Sequence, residues 1–385
     1  MMRHKSSRQV FLFVGCGDVA RRKYWPVVER LGGSTALRVD VAEKPGLTEG
    51  EQLPWGSVEL EARIKSGLYD AIFLLTPPDQ HIPQLVDCLE LLRESPRPCR
   101  VLVEKPLALD PCQARQNLPP LRRLCELPSH ALMPRVVDHY AMKPTTRILS
   151  ANWPTWTKSI GRVQEIVWVS FERSAMHASS AFARGYAREH AVHAWAMLDT
   201  VCPPLASAKL ADSATTRTWR YRGAPAVCPE ETAFIATTTL ALECDCDASV
   251  SPNVEVTIAA GKGLGTDKKV MILRGNRSTL QVRYNDDEVH VANANEGWSI
   301  SPLTPSASPT AYQKILRTLV LTPSRADEVT RSLEEAARDV ERTDRLLRSA
   351  ARPLEHASGV SPRDLERIAS LGTCKPLSKQ DAQPS

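Results

Sequence analysis

The sequence predicts an α/β protein with an N-terminal, doubly wound parallel sheet, followed by a C-terminal α+β domain with an open, mostly antiparallel sheet. Three observations carry this. Val10–Val14, Asp70–Leu75 and Val101–Val103 are continuous apolar runs separated by helical stretches, the pattern of parallel strands buried on both faces. A glycine turn, Gly15-Cys16-Gly17-Asp18-Val19-Ala20, follows the first run directly. From Ala151 onward the texture changes to short strand-like segments, several of them alternating polar and apolar residues.

At 385 residues the chain is too long for one ordinary core. The expected division is 1–145 for the parallel-sheet domain, 146–350 for the second domain and 351–385 for a partly disordered tail. Lys+Arg 49 against Asp+Glu 44 leaves a net charge of only +5, which argues against a dedicated nucleic-acid binder. The apolar run after the basic N-terminal residues is too short for a signal peptide or a membrane span. A cytoplasmic protein without membrane partners is expected. Ten cysteines contain no Cys-x-x-Cys pair, so no metal site is expected and most thiols read as packing residues. Cys244 and Cys246 alternate in a predicted strand and face one side.

Taken in order, Gln9–Val14 is the first strand. Gly15 suits the tight turn, Gly17 lets a pyrophosphate approach the backbone, and Ala20 lets helix and strand pack closely. The helix predicted over Val19–Leu31 ends at Gly32-Gly33 and presents its N-terminus to phosphates. Leu37–Ala42 is the second strand. Glu43 at its end suits the ribose hydroxyls of NAD, with Asp40 as the other candidate acid. Arg21, Arg22, Lys23 and Lys44 are placed to accept the extra phosphate of NADP, so cofactor choice stays open between NAD and NADP. Val58–Ser66 is a short helix. Thr76-Pro77-Pro78 breaks the next strand, Asp79 and His81 stand at the start of a helix over about Ile82–Leu92, and Pro111–Cys125 is a helix broken at Pro119-Pro120. Met133–Tyr140 closes the first domain.

In the second domain, Val163–Phe171, Glu231–Leu242, Val254–Ala259, Lys269–Arg274, Thr279–Tyr284 and Glu288–Ala292 read as strands, interrupted by a helix over Ser180–Val201. Gly261-x-Gly263-x-Gly265 reads as a hairpin loop, because it lacks the Gly-Lys-Ser/Thr ending of a phosphate loop. Arg325–Ser349 is an amphipathic helix with Val329, Leu333, Ala336, Val340 and Leu347 on one face. A short helix is expected near Pro362–Leu371, with disorder from Lys375.

Two constellations point to chemistry. In Val101–Asp110 an apolar strand runs into Glu104-Lys105-Pro106. A lysine at a buried strand end can be held in a cleft, where burial adapts it to proton transfer; a charge before a proline is also an ordinary strand ending. Glu189 and His193 are four residues apart and share a helix face. A carboxylate can orient an imidazole as acid or base, although the same spacing suits an inert surface pair.

Together these segments resemble the glucose–fructose oxidoreductase, inositol dehydrogenase and rhizopine-catabolism (Gfo/Idh/MocA) family over about Val10–Ser349. The resemblance rests on the glycine turn, the Asp70–Pro78 strand, Glu104-Lys105-Pro106, Ile160-Gly161-Arg162-Val163 and the Gly185–His193 helix. It implies a Rossmann domain followed by an open antiparallel sheet. It implies a nicotinamide-dependent enzyme in which Lys105 positions the substrate oxygen and helps move its proton. His193 is then the main acid/base, and Glu189 stands where the family has aspartate. Thr76, Pro77, His81 and Glu104 would line the nicotinamide side, with Gly15, Gly17, Asp18, Val19 and Ala20 at the phosphates and Glu43 at the ribose. A small-molecule partner and a homodimer or homotetramer are implied in the same way. Gly17–Lys23 and Asp138-His139-Tyr140-Ala141-Met142-Lys143 also resemble segments of glucose-6-phosphate dehydrogenase. That likeness implies a substrate-facing Asp138, His139 and Lys143 able to meet an anionic group. The expected reaction is hydride transfer at a secondary alcohol or ketone of a sugar, cyclitol or sugar derivative. Reduction of an imine or conjugated bond, and a cofactor-binding regulator without turnover, are the alternatives.

Overall fold

The structure is a computed structural model describing residues 9–30, 35–40, 52–126, 131–172, 186–210, 219–221, 233–242, 249–262, 267–285, 288–293, 297–302, 310–321 and 330–349. The chain forms two compact units, Met1–Met142 with Pro309–Val340, and Lys143–Ser308 with Glu341–Ser385.

The first unit starts with β1, Val10–Val14, buried from Phe11 on. A π-helical turn, Ala20–Tyr24, leads into α1, Trp25–Arg30; the predicted regular helix is therefore wound differently at its start. Next come β2 (Thr35–Asp40), β3 (Gln52–Pro54), α2 (Val58–Lys65) and β4 (Ala71–Leu74). The unit continues with α3 (Pro78–Leu92), β5 (Cys99–Glu104), α4 (Pro111–Glu126) and β6 (Ala131–Val137). All neighbouring strands pair in parallel, in the order β3-β2-β1-β4-β5-β6. The order reverses between β1 and β4, the place where such sheets open a crevice at their carboxyl ends. Leu12, Val14, Ile72, Leu74, Val101 and Val103 form the sheet's share of the core, covered by Leu60 and Ile64 of α2 and Leu85 and Leu89 of α3. Each such side chain contributes about 1.5–3 kcal/mol by leaving water.

Three expectations for this unit are corrected. Helix α3 begins at Pro78, so His81 lies in its first turn; Pro78 suits the first helical position because it has no N–H to leave unpaired. Helix α4 passes through Pro119-Pro120 unbroken. Pro119 is exposed there and Pro120 half-buried, so the carbonyls they leave unbonded can turn to water. Strand β6 stops at Val137, because Asp138 Oδ1 accepts the backbone N–H groups of Tyr140 (2.9 Å) and Ala141 (3.2 Å) and turns the chain out of the ladder.

The second unit opens with two helices the sequence reading lacked, α5 (Pro144–Ala151) and α6 (Trp153–Ile160). Strand β7 (Val163–Glu172) and helix α7 (Tyr186–Val201) follow. A 3-10 turn, Pro203–Ser207, then leads to β8 (Lys209–Leu210), β9 (Trp219–Tyr221), β10 (Ala233–Ala241) and β11 (Val250–Lys262). The sheet is completed by β12 (Lys268–Gly275), β13 (Ser278–Arg283), β14 (Glu288–Asn293) and β15 (Gly297–Pro302). The order is β15-β14-β13-β12-β7-β11-β10-β8, with β9 against β10. Every neighbour is antiparallel except β7 and β11. Arg274 and Lys269 of β12 reach across to Glu165 (2.6 Å) and Glu172 (3.1 Å) of β7. The strands β8, β9 and β15 were not expected; β8 and β9 are too short to show alternation. No described helix is long and apolar enough to cross a membrane.

The chain then forms α8 (Ala311–Leu321) and α9 (Leu333–Ser349). Helix α8 was missed, although Tyr312, Ile315, Leu316 and Leu319 have helical spacing and are buried. Helix α9 starts at Leu333, since 330–332 are not helical; the 325–329 part of the predicted helix lies outside the described residues. Ser332 and Glu335 form a reciprocal cap, Glu335 N–H to Ser332 Oγ at 3.1 Å and Ser332 N–H to Glu335 Oε2 at 2.7 Å. Just before it, Arg331 forms an antiparallel bridge with Val136 of β6. The unit division falls inside α9, after Val340.

Glu43, Lys44, Cys244, Cys246, the 263–266 part of the glycine loop, the 180–185 start of the predicted helix and everything from 350 on lie outside the described residues. So do the side chains of Asp40 and Glu189.

Candidate active site

The glycine turn sits at the reversal of the parallel sheet. Gly15 has φ +94°, and a Cβ placed on it would stand 2.8 Å from Leu75 C and Thr76 N. Glycine there lets the ends of β1 and β4 approach. Gly15→Ala combines a left-handed backbone with a backbone clash and is expected to cost on the order of 2–5 kcal/mol. Urea unfolding tests this, and an unchanged midpoint would refute it.

A Cβ on Gly17 would meet nothing within 4 Å. The open space beside it and the helix N-terminus that follows fit a pyrophosphate: the first helical N–H groups point outward with the positive end of the dipole. Arg21 N–H bonds back to Gly17 O at 3.1 Å, starting that helix. Ala20 is fully buried, Val19 and Asp18 are exposed, and Asp18 pairs loosely with Arg21 (3.5 Å) and Arg22 (3.7 Å).

Beyond the ends of β4 and β5, Thr76, Pro77, His81, Glu104 and Lys105 gather in one unit. Thr76 Oγ1 donates to Gln84 Oε1 at 2.6 Å, and Pro77 precedes α3 as its cap residue. His81 is buried with Nδ1 2.8 Å from Pro106 O and Nε2 2.7 Å from Thr76 O. Burial drives its pKa down to about 4, assisted by the Lys105 charge and opposed by both carbonyls and Asp79. Lys105 is half-buried, and its peptide bond to Pro106 is cis.

Glu104 is buried against an aromatic cluster that the sequence reading did not anticipate. Tyr24 O–H donates to Glu104 Oε2 at 3.4 Å. The Tyr24 ring meets Tyr312 of α8 edge-on at 5.0 Å, and His139 stacks on Tyr312 at 5.0 Å. Burial pushes the Glu104 pKa up to about 8; Asp138 adds to the rise, whereas the Lys105 charge, the Lys105 backbone N–H and the Tyr24 hydroxyl oppose it. Burial likewise raises Asp138, against the pull of His139, Lys105 and Arg331. Tyr24 and Tyr312 are both raised by burial first and Glu104 second.

Because folding raises the Glu104 pKa from 4.5 to about 8, the native state holds a proton there that the unfolded chain has lost. Wild type is therefore expected to lose stability relative to Glu104→Gln as pH rises between these values, by up to about 1.4 kcal/mol per pH unit, and to level off above. Parallel unfolding curves from pH 5 to 9 check this; a constant difference would refute it.

The structure gives Asp138 a backbone role, as the turn after β6. His139 stands half-buried in the aromatic cluster, in the first unit. Lys143, in the second unit, donates to Tyr284 O at 3.4 Å with its ammonium 5.8 Å from the Tyr284 ring.

In the second unit His193 is buried on α7, its ring 5.8 Å from that of His190 at 70°. His190 Nδ1 lies 3.3 Å from Ser170 Oγ of β7. The far end of α7 is clamped by Arg342 of α9. Its guanidinium pairs with Asp199 (2.8 Å), donates to the carbonyls of Leu205 (2.9 Å), Ala206 (3.3 Å) and Ala208 (2.8 Å), and lies 5.7 Å from the Trp195 ring. No sequence motif announces this clamp. Among the described residues no group of three or more His, Cys, Asp or Glu is arranged to hold a metal.

No family model matches the chain, and no curated protein matches it by sequence. Solved structures do. Biliverdin reductase from Synechocystis sp. PCC 6803, in complex with biliverdin and NADP+, is 14% identical with a TM-score of 0.64, over 88% of this chain and 98% of that one. An oxidoreductase from Agrobacterium radiobacter, in complex with NAD+, L-tartaric acid and magnesium, is 14% identical with a TM-score of 0.61, over 90% and 97%. UDP-N-acetylglucosamine 3-dehydrogenase from Acidithiobacillus ferrooxidans is 13% identical with a TM-score of 0.61, over 88% and 97%. The chain shares the two-part fold of these oxidoreductases, a parallel nucleotide-type sheet followed by a mostly antiparallel one.

Proposed function

We propose that this protein is an NAD(P)-dependent oxidoreductase of Gfo/Idh/MocA type, acting on a secondary alcohol or ketone of a sugar, cyclitol or sugar derivative. The observation that carries the reading is the crevice end of the first unit. Open space beside Gly17 and a helix N-terminus stand at the sheet's reversal, and Lys105 stands at the end of β5. Gly15–Ala20 would hold the pyrophosphate, Thr76, Pro77, His81 and Glu104 the nicotinamide side, and Glu43 the ribose. A bound nicotinamide supplies the hydride donor or acceptor. Lys105 Nζ orients the substrate oxygen and shares its proton, and His193 is the second proton-handling residue, with Glu189 as its orienting acid. His139 and Lys143 are candidates for an anionic substrate group, and assembly as a dimer or tetramer belongs to the same proposal.

The second reading, reduction of an imine or conjugated bond, is favoured by the biliverdin-bound neighbour, whose ligand is not a sugar. Titration with NADH and NADPH, followed by nicotinamide fluorescence, tests the shared part. Saturable binding of one is expected, and no binding of either would overturn it. A screen of sugars, sugar phosphates, imines and conjugated ketones with the bound cofactor then separates the two readings.

A further inference from the structure

The β4–β5 ladder ends at Leu74↔Val103. Thr76 on one side, and Lys105 and Pro106 on the other, lie past the last paired residues, where strand hydrogen bonding no longer sets their spacing. His81 spans this gap. Its ring reaches one carbonyl with each nitrogen, Pro106 O at 2.8 Å and Thr76 O at 2.7 Å, and it is 1% exposed. Thr76 is held in turn by Gln84, one turn further along the same helix. The Lys105 charge is near enough to oppose protonation of this imidazole. A neutral imidazole has one N–H, so at any moment one carbonyl accepts its hydrogen bond and the other faces the unprotonated nitrogen.

We propose that His81 is a positioning residue that holds the Lys105–Pro106 turn at a fixed spacing from the Thr76–Pro77 turn. This rests on the reading of Lys105 as the proton-handling group and adds to it the part that sets its place. A small displacement of such a group lowers turnover steeply without changing what binds.

The test compares wild type with His81→Leu, which removes both polar contacts, and His81→Gln, which retains one donor and one acceptor. Lysines are reductively methylated with 13C, and the Lys105 resonance is identified by its loss in Lys105→Arg. In protein free of cofactor and substrate, His81→Leu is expected to change the Lys105 chemical shift and its pH titration, with His81→Gln intermediate. In the loaded enzyme kcat is expected to fall about tenfold or more, substrate KM far less, with partial recovery in His81→Gln. A cooperatively folded His81→Leu whose Lys105 signal and titration match wild type would overturn the proposal. If that variant does not fold, the same comparison is read from His81→Gln. Absence of turnover in wild type would defeat the functional reading alone, because the Lys105 signal still decides the role of His81.

Discussion

Replacing Lys105 by Met is expected to cut turnover by about 10²–10⁴-fold while leaving cofactor affinity within a few-fold of wild type. Methionine keeps much of the length and apolar stem but carries no proton and no charge. The glycine turn that would hold the pyrophosphate follows β1, separated from β5 by β4 in the sheet, so loss of the ammonium leaves that cradle intact. Steady-state rates and fluorescence titration of the same preparations separate the two effects. Equal turnover in Lys105→Met and wild type would remove Lys105 from the chemistry, whatever the cofactor does.

Arg342→Leu is expected to destabilise the second unit by about 3–5 kcal/mol. The arginine and Asp199 are both nearly fully buried, with 6% and 7% of their side chains exposed. Leucine would leave the Asp199 carboxylate buried without this cation and remove the N–H donors now serving three backbone carbonyls. Asp199 lies on α7 beyond His193, so loosening this end also threatens the helix that presents the histidine. Urea unfolding of the variant reads the loss. The double variant Arg342→Leu with Asp199→Leu is expected to regain part of it, because removing both charges removes the stranded one. A shift below about 0.5 kcal/mol would mean the pair is no better than an exposed salt bridge.

The parallel sheet was legible because its strands are buried on both faces and its turn needs glycine. Val10–Val14 with Gly15 admits few other structures. Strand β3 was not legible in this way, because Gln52–Pro54 is too short to show a pattern. Less legible were α5, α6 and α8. Pro144 and Pro154 stand in the first turns of α5 and α6, where proline suits a helix start. The Ser332-x-x-Glu335 cap was also present in the sequence and marks where α9 starts.

By itself the sequence determined the plan of a parallel sheet followed by a mostly antiparallel one, the glycine turn and the strand-end Lys105, because local periodicity and backbone freedom are properties of neighbouring residues. Tertiary structure alone decided what surrounds them. Tyr312 reaches Tyr24 and His139 from a helix nearly three hundred residues along the chain from β1. Arg342 finds Asp199 across more than a hundred. His81 finds Pro106 and Thr76 only because two strands end side by side. Burial turns these meetings into chemistry. A carboxylate or an imidazole acquires its protonation state from the dielectric and partners around it, and a guanidinium its place, and sequence spacing does not record which partners those are.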